Sequence, residues 1–461
     1  MKEKVRYLVV FLFLIVTILG RTLYANAVDA NTYFKRGNTY FQQGKYEQAI
    51  ANYTKAIELN PKDAEAYYNR GLAYYYKGEY NKAIADFTKA IELNPKHAEA
   101  YIKRGIAYIM LGKYNKAIID NNKAIALNPG LYNRYVNKYY KLITDFNKAI
   151  ELNPKHTEAY LKRGTVYIML REYDKAIADY NRAIELNPNY ADAYNNRGWV
   201  YYEKGKYNKA IADYNRAIKL KPNYAEAYNN RGIIYGIKGE YDKAIADFTK
   251  AIELNPKFAK AYNDRGIAYD YKGEYDKAIA DFNRAIKLKP NYAKAYYNRG
   301  LAYRHKGEYD KAIADYNKAI ELNPNYAAAY NNRGWVYYEK GEYNKAIADF
   351  TKAIELNPKF AGAYSNRGWV YYYKGEYGKA IADYNRAIKL NPNGAYAYNN
   401  RGLAYYDKGE YNKAIADYNK AIELNPYYAY AYYNRGLAYR HKGEYDKAIA
   451  DYYTFQHLSH I

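Results

Sequence analysis

The 461-residue chain has no cysteine and only two serines, Ser365 and Ser459. Disulfides, thiol nucleophiles and thiolate metal sites are thereby excluded, and a serine nucleophile has almost nowhere to stand. The six histidines are scattered, and His457 with His460 would make at most a two-ligand site. No glycine-rich phosphate loop occurs, and the recurring Glu and Asp fall at helix ends and turns, where solvated charge is the default. These shortages argue against an enzyme, and nothing calls for a cofactor or a metal. Long apolar runs are scarce too, with one exception at the start.

That exception reads MKEKVRYLVVFLFLIVTILGRTLYANAVDAN, with Lys2, Lys4 and Arg6 ahead of an apolar stretch from Tyr7 to Gly20 and then Ala25-Asn26-Ala27. The order predicts a signal peptide over 1–27, cleaved after Ala27. As a helix the stretch would span ~21 Å against a hydrocarbon core of ~30 Å, so export to the periplasm or the outside, with only transient membrane contact, is favoured over an uncleaved anchor. Formal charge is +24; the first 27 residues carry four basic and one acidic side chains, which leaves the remainder at +21. Such a balance suits anionic partners, or else a solvated exterior.

Proline is also sparse, but its placement is regular. The twelve prolines stand at 61, 95, 129, 154, 188, 222, 256, 290, 324, 358, 392 and 426, and every interval is 34 except that from Pro129 to Pro154, which is 25. One unit, from Ala191 to Tyr224, shows what recurs. Its first half places Tyr194, Gly198 and Tyr201 at i, i+4 and i+7, and its second places Tyr207, Ala210, Ile211, Tyr214, Ala217 and Ile218 at helical spacing. Each half predicts an amphipathic helix. Lys204-Gly205-Lys206 supplies the turn between them, and Pro222 ends the second. Neither helix can bury its stripe alone, so such hairpins must stack.

The alternation of small Gly198, Ala210 and Ala217 with aromatic Tyr194, Tyr201, Tyr207 and Tyr214 resembles the tetratricopeptide repeat (TPR), with tyrosine where tryptophan is commoner and Arg197 where leucine is. The resemblance implies an all-α, right-handed superhelical solenoid of about twelve full repeats and one shortened. Repeats 1–3 would fill 28–129, a degenerate short repeat 130–154, and repeats 5–13 155–453, with a divergent tail over 454–461. In the short repeat the second helix survives as Lys141 to Ile150, whereas the first has lost its Arg-Gly pair, so the stack is expected to break or bend there. This is either a hinge or a deletion during repeat shuffling. Shuffling is visible elsewhere, since Tyr296 to Tyr316 is identical to Tyr432 to Tyr452.

Most of the 69 tyrosines fall at places like those of Tyr194, Tyr201, Tyr207 and Tyr214, where a buried phenol needs a hydrogen-bond partner. The resemblance puts the first helices along a concave groove. There the residue two before the glycine is Asn69, Asn196, Asn230, Asn298, Asn332, Asn366, Asn400 and Asn434, an amide ladder able to pair with the backbone of an extended peptide. Trp199, Trp335 and Trp369 directly follow a repeat glycine on the same expected face and are candidate anchors or core residues. The family's clamp for a terminal carboxylate is not supported, because Phe34 and Glu99 stand where lysines are needed. Arg197 and Asp213 have counterparts along the array, eleven repeats holding both, and read as a structural ion pair.

The reading is a non-enzymatic scaffold for other proteins, binding extended segments or assembling a complex through the groove. The alternatives are a binder of anionic polymer, with nucleic acid disfavoured and polysaccharide open, and an accessory subunit of an envelope enzyme complex. No polar capping helix follows the last repeat, so the expectation is that its end meets a partner or another copy of itself, or that the reading frame is truncated.

Overall fold

The computed structural model describes residues 29–459, which form 25 helices and, among the described residues, no strand. The signal-peptide reading of 1–27 lies outside them. No helix of the described residues is long and apolar enough to cross a membrane. The described chain forms two compact units, one up to Ala227 and one from Tyr228.

Within each unit the hairpin repeats. Ala191–Glu203 runs antiparallel to Tyr207–Leu220 across the turn at Gly205, whose φ of 69° is the left-handed conformation that glycine adopts without a Cβ penalty. The turn satisfies the end of the first helix, because the Lys206 amide donates to the Tyr201 carbonyl at 2.8 Å and the Gly205 amide to Tyr202 at 2.9 Å. The second helix stops at Lys221, held at φ −137° and ψ 84° by the proline that follows. The repeat glycine in the first helix serves close approach. A Cβ at Gly300 would sit 2.8 Å from Cε1 of Tyr316, so aromatic ring and bare backbone share the space.

The large rings at the place of Tyr214 form the centre of each hairpin: Tyr53, Phe87, Tyr180, Tyr214, Phe282, Tyr316 and Phe350 are all buried. Not every phenol there finds the partner that burial calls for. Tyr53 donates to Asn38 at 2.7 Å and Tyr180 shares a 3.1 Å bond with Thr165, but the hydroxyls of Tyr316, Tyr418 and Tyr452 are buried without one. The ring repays its burial through apolar contact, and the hydroxyl is carried along.

The short repeat differs from its expected form. The two half-helices retained by the sequence run on as one 23-residue helix, Gly130–Leu152, because the deletion removed the turn glycine and left no proline to interrupt it. Asn121 stands on the preceding helix where other repeats carry the large ring, and Tyr139 of the long helix donates to it at 2.6 Å, both residues buried.

Candidate functional site on the first-helix face

First helices of successive repeats touch one another directly, as Ala327–Glu339 does with Ala361–Tyr373 and as that helix does with Ala395–Asp407. They therefore form the inner layer of each unit, and residues at their exposed edge define its inner face. The structure places the asparagine ladder in the seams of that layer. Asn298 donates through Nδ2 to Asn263 at 2.9 Å, Asn332 to the Tyr297 hydroxyl at 2.7 Å, Asn366 to Asn331 at 3.0 Å and Asn434 to Asn399 at 3.0 Å. Each bond joins one repeat to the one before it. The Nδ2 groups of these four asparagines are thus committed to holding the stack.

The other members vary. Asn196 is buried, its Oδ1 accepting from Asn195 at 3.2 Å while its own Nδ2 has no partner. Asn400 accepts from Asn399 at 3.1 Å, and Asn69, Asn230 and Asn400 are half-buried. Sequence reasoning identified the positions but missed these seam bonds. The signal was present in Asn263, Asn331 and Asn399, one residue ahead of the ladder position in the preceding repeat.

Two of the three tryptophans come together. Trp335 and Trp369 lie in adjacent repeats, both half-buried, within a continuous set of rings. Trp335 packs on Tyr338 at 5.2 Å, Tyr338 meets Tyr373 edge-on at 5.6 Å, and Trp369 stacks on Tyr372 at 5.7 Å and meets Tyr373 at 4.9 Å. The indole N–H groups are spent internally, on Glu339 at 2.7 Å and on the Tyr338 hydroxyl at 2.9 Å. Burial pushes the Tyr338 phenol up to about 12, and burial with a hydrogen bond to Asp407 raises that of Tyr372. Both stay neutral at physiological pH, so this surface offers ring faces and neutral hydroxyls. Arg304, 5.9 Å from the Trp335 ring, closes one end. Trp199 is set apart, in the other unit, beside Ile168 and Met169.

The basic charge is largely paired where it clusters. Lys204 of one turn reaches Asp174 of the preceding repeat at 2.5 Å, Lys272 reaches Asp242 at 2.5 Å, and within the turns Lys243 holds Glu240 at 2.6 Å. Such exposed pairs contribute little stability. Among the described residues no group of three or more His, Asp or Glu is placed to hold a metal ion.

Family models described as TPR repeat match residues 37–78, 171–205, 198–237, 271–305, 368–409 and 402–441. Models described as tetratricopeptide repeat match 64–97, 225–258, 293–326 and 327–360, then 87–119, 146–178, 248–280 and 350–382, and finally 429–454. No curated protein matches the chain. Among solved structures, the APC/C hetero-tetramer Cut9-Hcn1 is 18% identical with a TM-score of 0.47, over 92% of this chain and 98% of that one. Yeast Tom70 is 19% identical with a TM-score of 0.44, over 94% and 96%. A MamA protein is 33% identical with a TM-score of 0.33, over 36% of this chain and 92% of that one. With hairpins of the expected length, glycine turns at the expected places and family matches over most of its residues, the chain belongs to the tetratricopeptide repeat family.

Proposed function

We propose that this protein is an exported, non-enzymatic scaffold that binds extended segments of other proteins along the first-helix face. The observation that carries the reading is the ring surface of Trp335, Tyr338, Trp369, Tyr372 and Tyr373 lying on the same helices as the ladder acceptors of Asn332 and Asn366. Rigid aromatic faces provide contact area at small entropic cost, and amide oxygens at one per repeat accept backbone N–H groups whatever the ligand's side chains are. Because asparagine recurs at this place along the array, affinity comes from several weak contacts acting together.

The test is capture from the exported fraction with Val28–Ile461 as bait, beside a variant carrying Trp335→Ala and Trp369→Ala, at low and high salt. A protein held by the parent at high salt and lost by the variant supports the groove. Polymer released from both equally by salt overturns it and supports an anionic-polymer binder, whose affinity must fall steeply with salt. Export is tested separately, by sequencing the N-terminus of the protein recovered outside the cytoplasm, which should begin at Val28.

A further inference from the structure

Where Tyr114–Leu127 meets Thr157–Met169 and Ala191–Glu203 the packing opens into a cavity of about 370 Å³, within the size range of small-ligand sites. Ile125, Ile168 and Met169 give it an apolar floor, Trp199 and Tyr173 give aromatic walls, and Asn121 and Asn122 bring amides. Arg171 and Glu203 also line it. Both are exposed at its mouth, both act electrostatically on the Tyr173 phenol, and they attract one another. Desolvation pushes the Glu203 carboxyl up despite the attraction of Arg171. A guanidinium and a carboxylate of opposite charge thus stand together at the mouth of a lined hollow.

A second observation comes from the backbone. Arg171 has φ 58°, and among the described residues it is the one non-glycine with positive φ, whereas eleven glycines hold that conformation, among them Gly112 and Gly205. Its turn is bonded as the glycine turns are, with the Arg171 amide donating to Ile168 and the Glu172 amide to Tyr167, both at 2.9 Å. The side chain therefore costs strain that the rest of the array avoids, and such strain concentrates at functional sites.

We infer that this cavity binds a free α-amino acid with a large apolar side chain, Arg171 holding its carboxylate, Glu203 its ammonium, and Trp199 with Met169 and Ile168 its side chain. The guanidinium fork matches a carboxylate in two parallel hydrogen bonds. A peptide segment lacks an ammonium and a carboxylate on one carbon, and an apolar molecule would engage neither charge. The inference stands apart from peptide binding on the first-helix face, because Trp335 and Trp369 take no part in it.

The experiment is calorimetric titration of the full mature chain with L-leucine, L-methionine and L-phenylalanine, then with N-acetyl-L-leucine and L-leucinamide. One site per chain is expected for at least one of the three amino acids, with binding weakened at least tenfold by loss of either charged group of the ligand. Arg171→Gly should weaken the zwitterion at least tenfold while raising the thermal midpoint, since glycine relieves the turn; this keeps a folding defect from imitating the result. Glu203→Gln should weaken the zwitterion and leave N-acetyl-L-leucine unchanged. Absence of heat for all three amino acids at millimolar concentration, or equal binding by parent and Arg171→Gly, overturns the assignment.

Discussion

Arg197 and Asp213, sixteen residues apart on the two helices of one hairpin, meet in a two-pronged ion pair, Nε to Oδ2 at 2.8 Å and Nη2 to Oδ1 at 2.7 Å. The third guanidinium nitrogen, Nη1, reaches back to Asn181 of the preceding repeat at 2.7 Å. One side chain thereby fastens three helices. The same fork joins Arg70 to Asp86, Arg265 to Asp281 and Arg367 to Asp383, with Thr54, Thr249 and Thr351 taking the place of Asn181. Burial pushes the Asp213 carboxyl up against the pull of Arg197, which marks how far the pair is withdrawn from water.

Removing one member of this pair should leave a buried charge unanswered. Arg197→Met is expected to cost about 3–5 kcal/mol, while Arg197→Met combined with Asp213→Leu recovers most of that loss. Amide exchange over 191–220 in the two single variants and the double variant measures it. Losses that simply add would show that the fork is not a coupled unit.

Tyr316 supplies a different prediction. Its hydroxyl is buried without a partner, and Phe282 and Phe350 fill the same place in the flanking repeats. Tyr316→Phe should therefore stabilise the hairpin by roughly 1 kcal/mol, the penalty of an unsatisfied buried hydroxyl. Tyr53→Phe should instead destabilise, because it deletes the bond to Asn38. Urea midpoints of the two variants should move in opposite directions.

The hairpins, their turns and the Arg–Asp pair were legible because each rests on local chemistry repeated many times: Gly205 for the turn, Pro222 for the stop, Arg197 sixteen residues before Asp213. The site was legible only as positions. That Asn366 spends its amide on Asn331 depends on how far successive first helices slide past each other, which no spacing within one repeat encodes. The long helix Gly130–Leu152 was misjudged for a related reason. A deletion that removes the turn glycine removes the break within the hairpin, so two expected helices became one. The cavity lined by Met169 and Trp199 follows from packing between separate repeats, which no spacing within one repeat encodes.

The two kinds of glycine should fail in different ways. Gly307 has φ 74° with nothing within 4 Å of a built Cβ, so Gly307→Ala should cost about 1 kcal/mol through backbone strain alone. Gly300→Ala would thrust a methyl to 2.8 Å from the Tyr316 ring and should cost about 1–3 kcal/mol by overpacking. Tyr316→Leu in the same chain should recover part of the Gly300→Ala loss and none of the Gly307→Ala loss, read as thermal midpoints.

Lys103 connects burial to pH. It lies on Ala98–Met110, 7% exposed, with its ammonium 5.8 Å from the Tyr75 ring and 5.9 Å from that of Tyr76. Desolvation, aided by repulsion from Lys138 and opposed by Glu99, pushes it down to about 8. Unfolded, the same lysine titrates near its ordinary value of 10.5. Between these two values the unfolded chain holds a proton that the folded chain has released, so folding gains stability as pH rises through that window and loses it toward neutrality. From pH 7 to pH 9.5 the gain amounts to roughly 2 kcal/mol. Lys103→Met should be more stable than the parent at pH 7, and the difference should shrink by that amount at pH 9.5. Urea midpoints of the pair at both pH values decide it, and a difference that does not change with pH would mean the ammonium keeps its proton in the fold, held by the ring faces of Tyr75 and Tyr76.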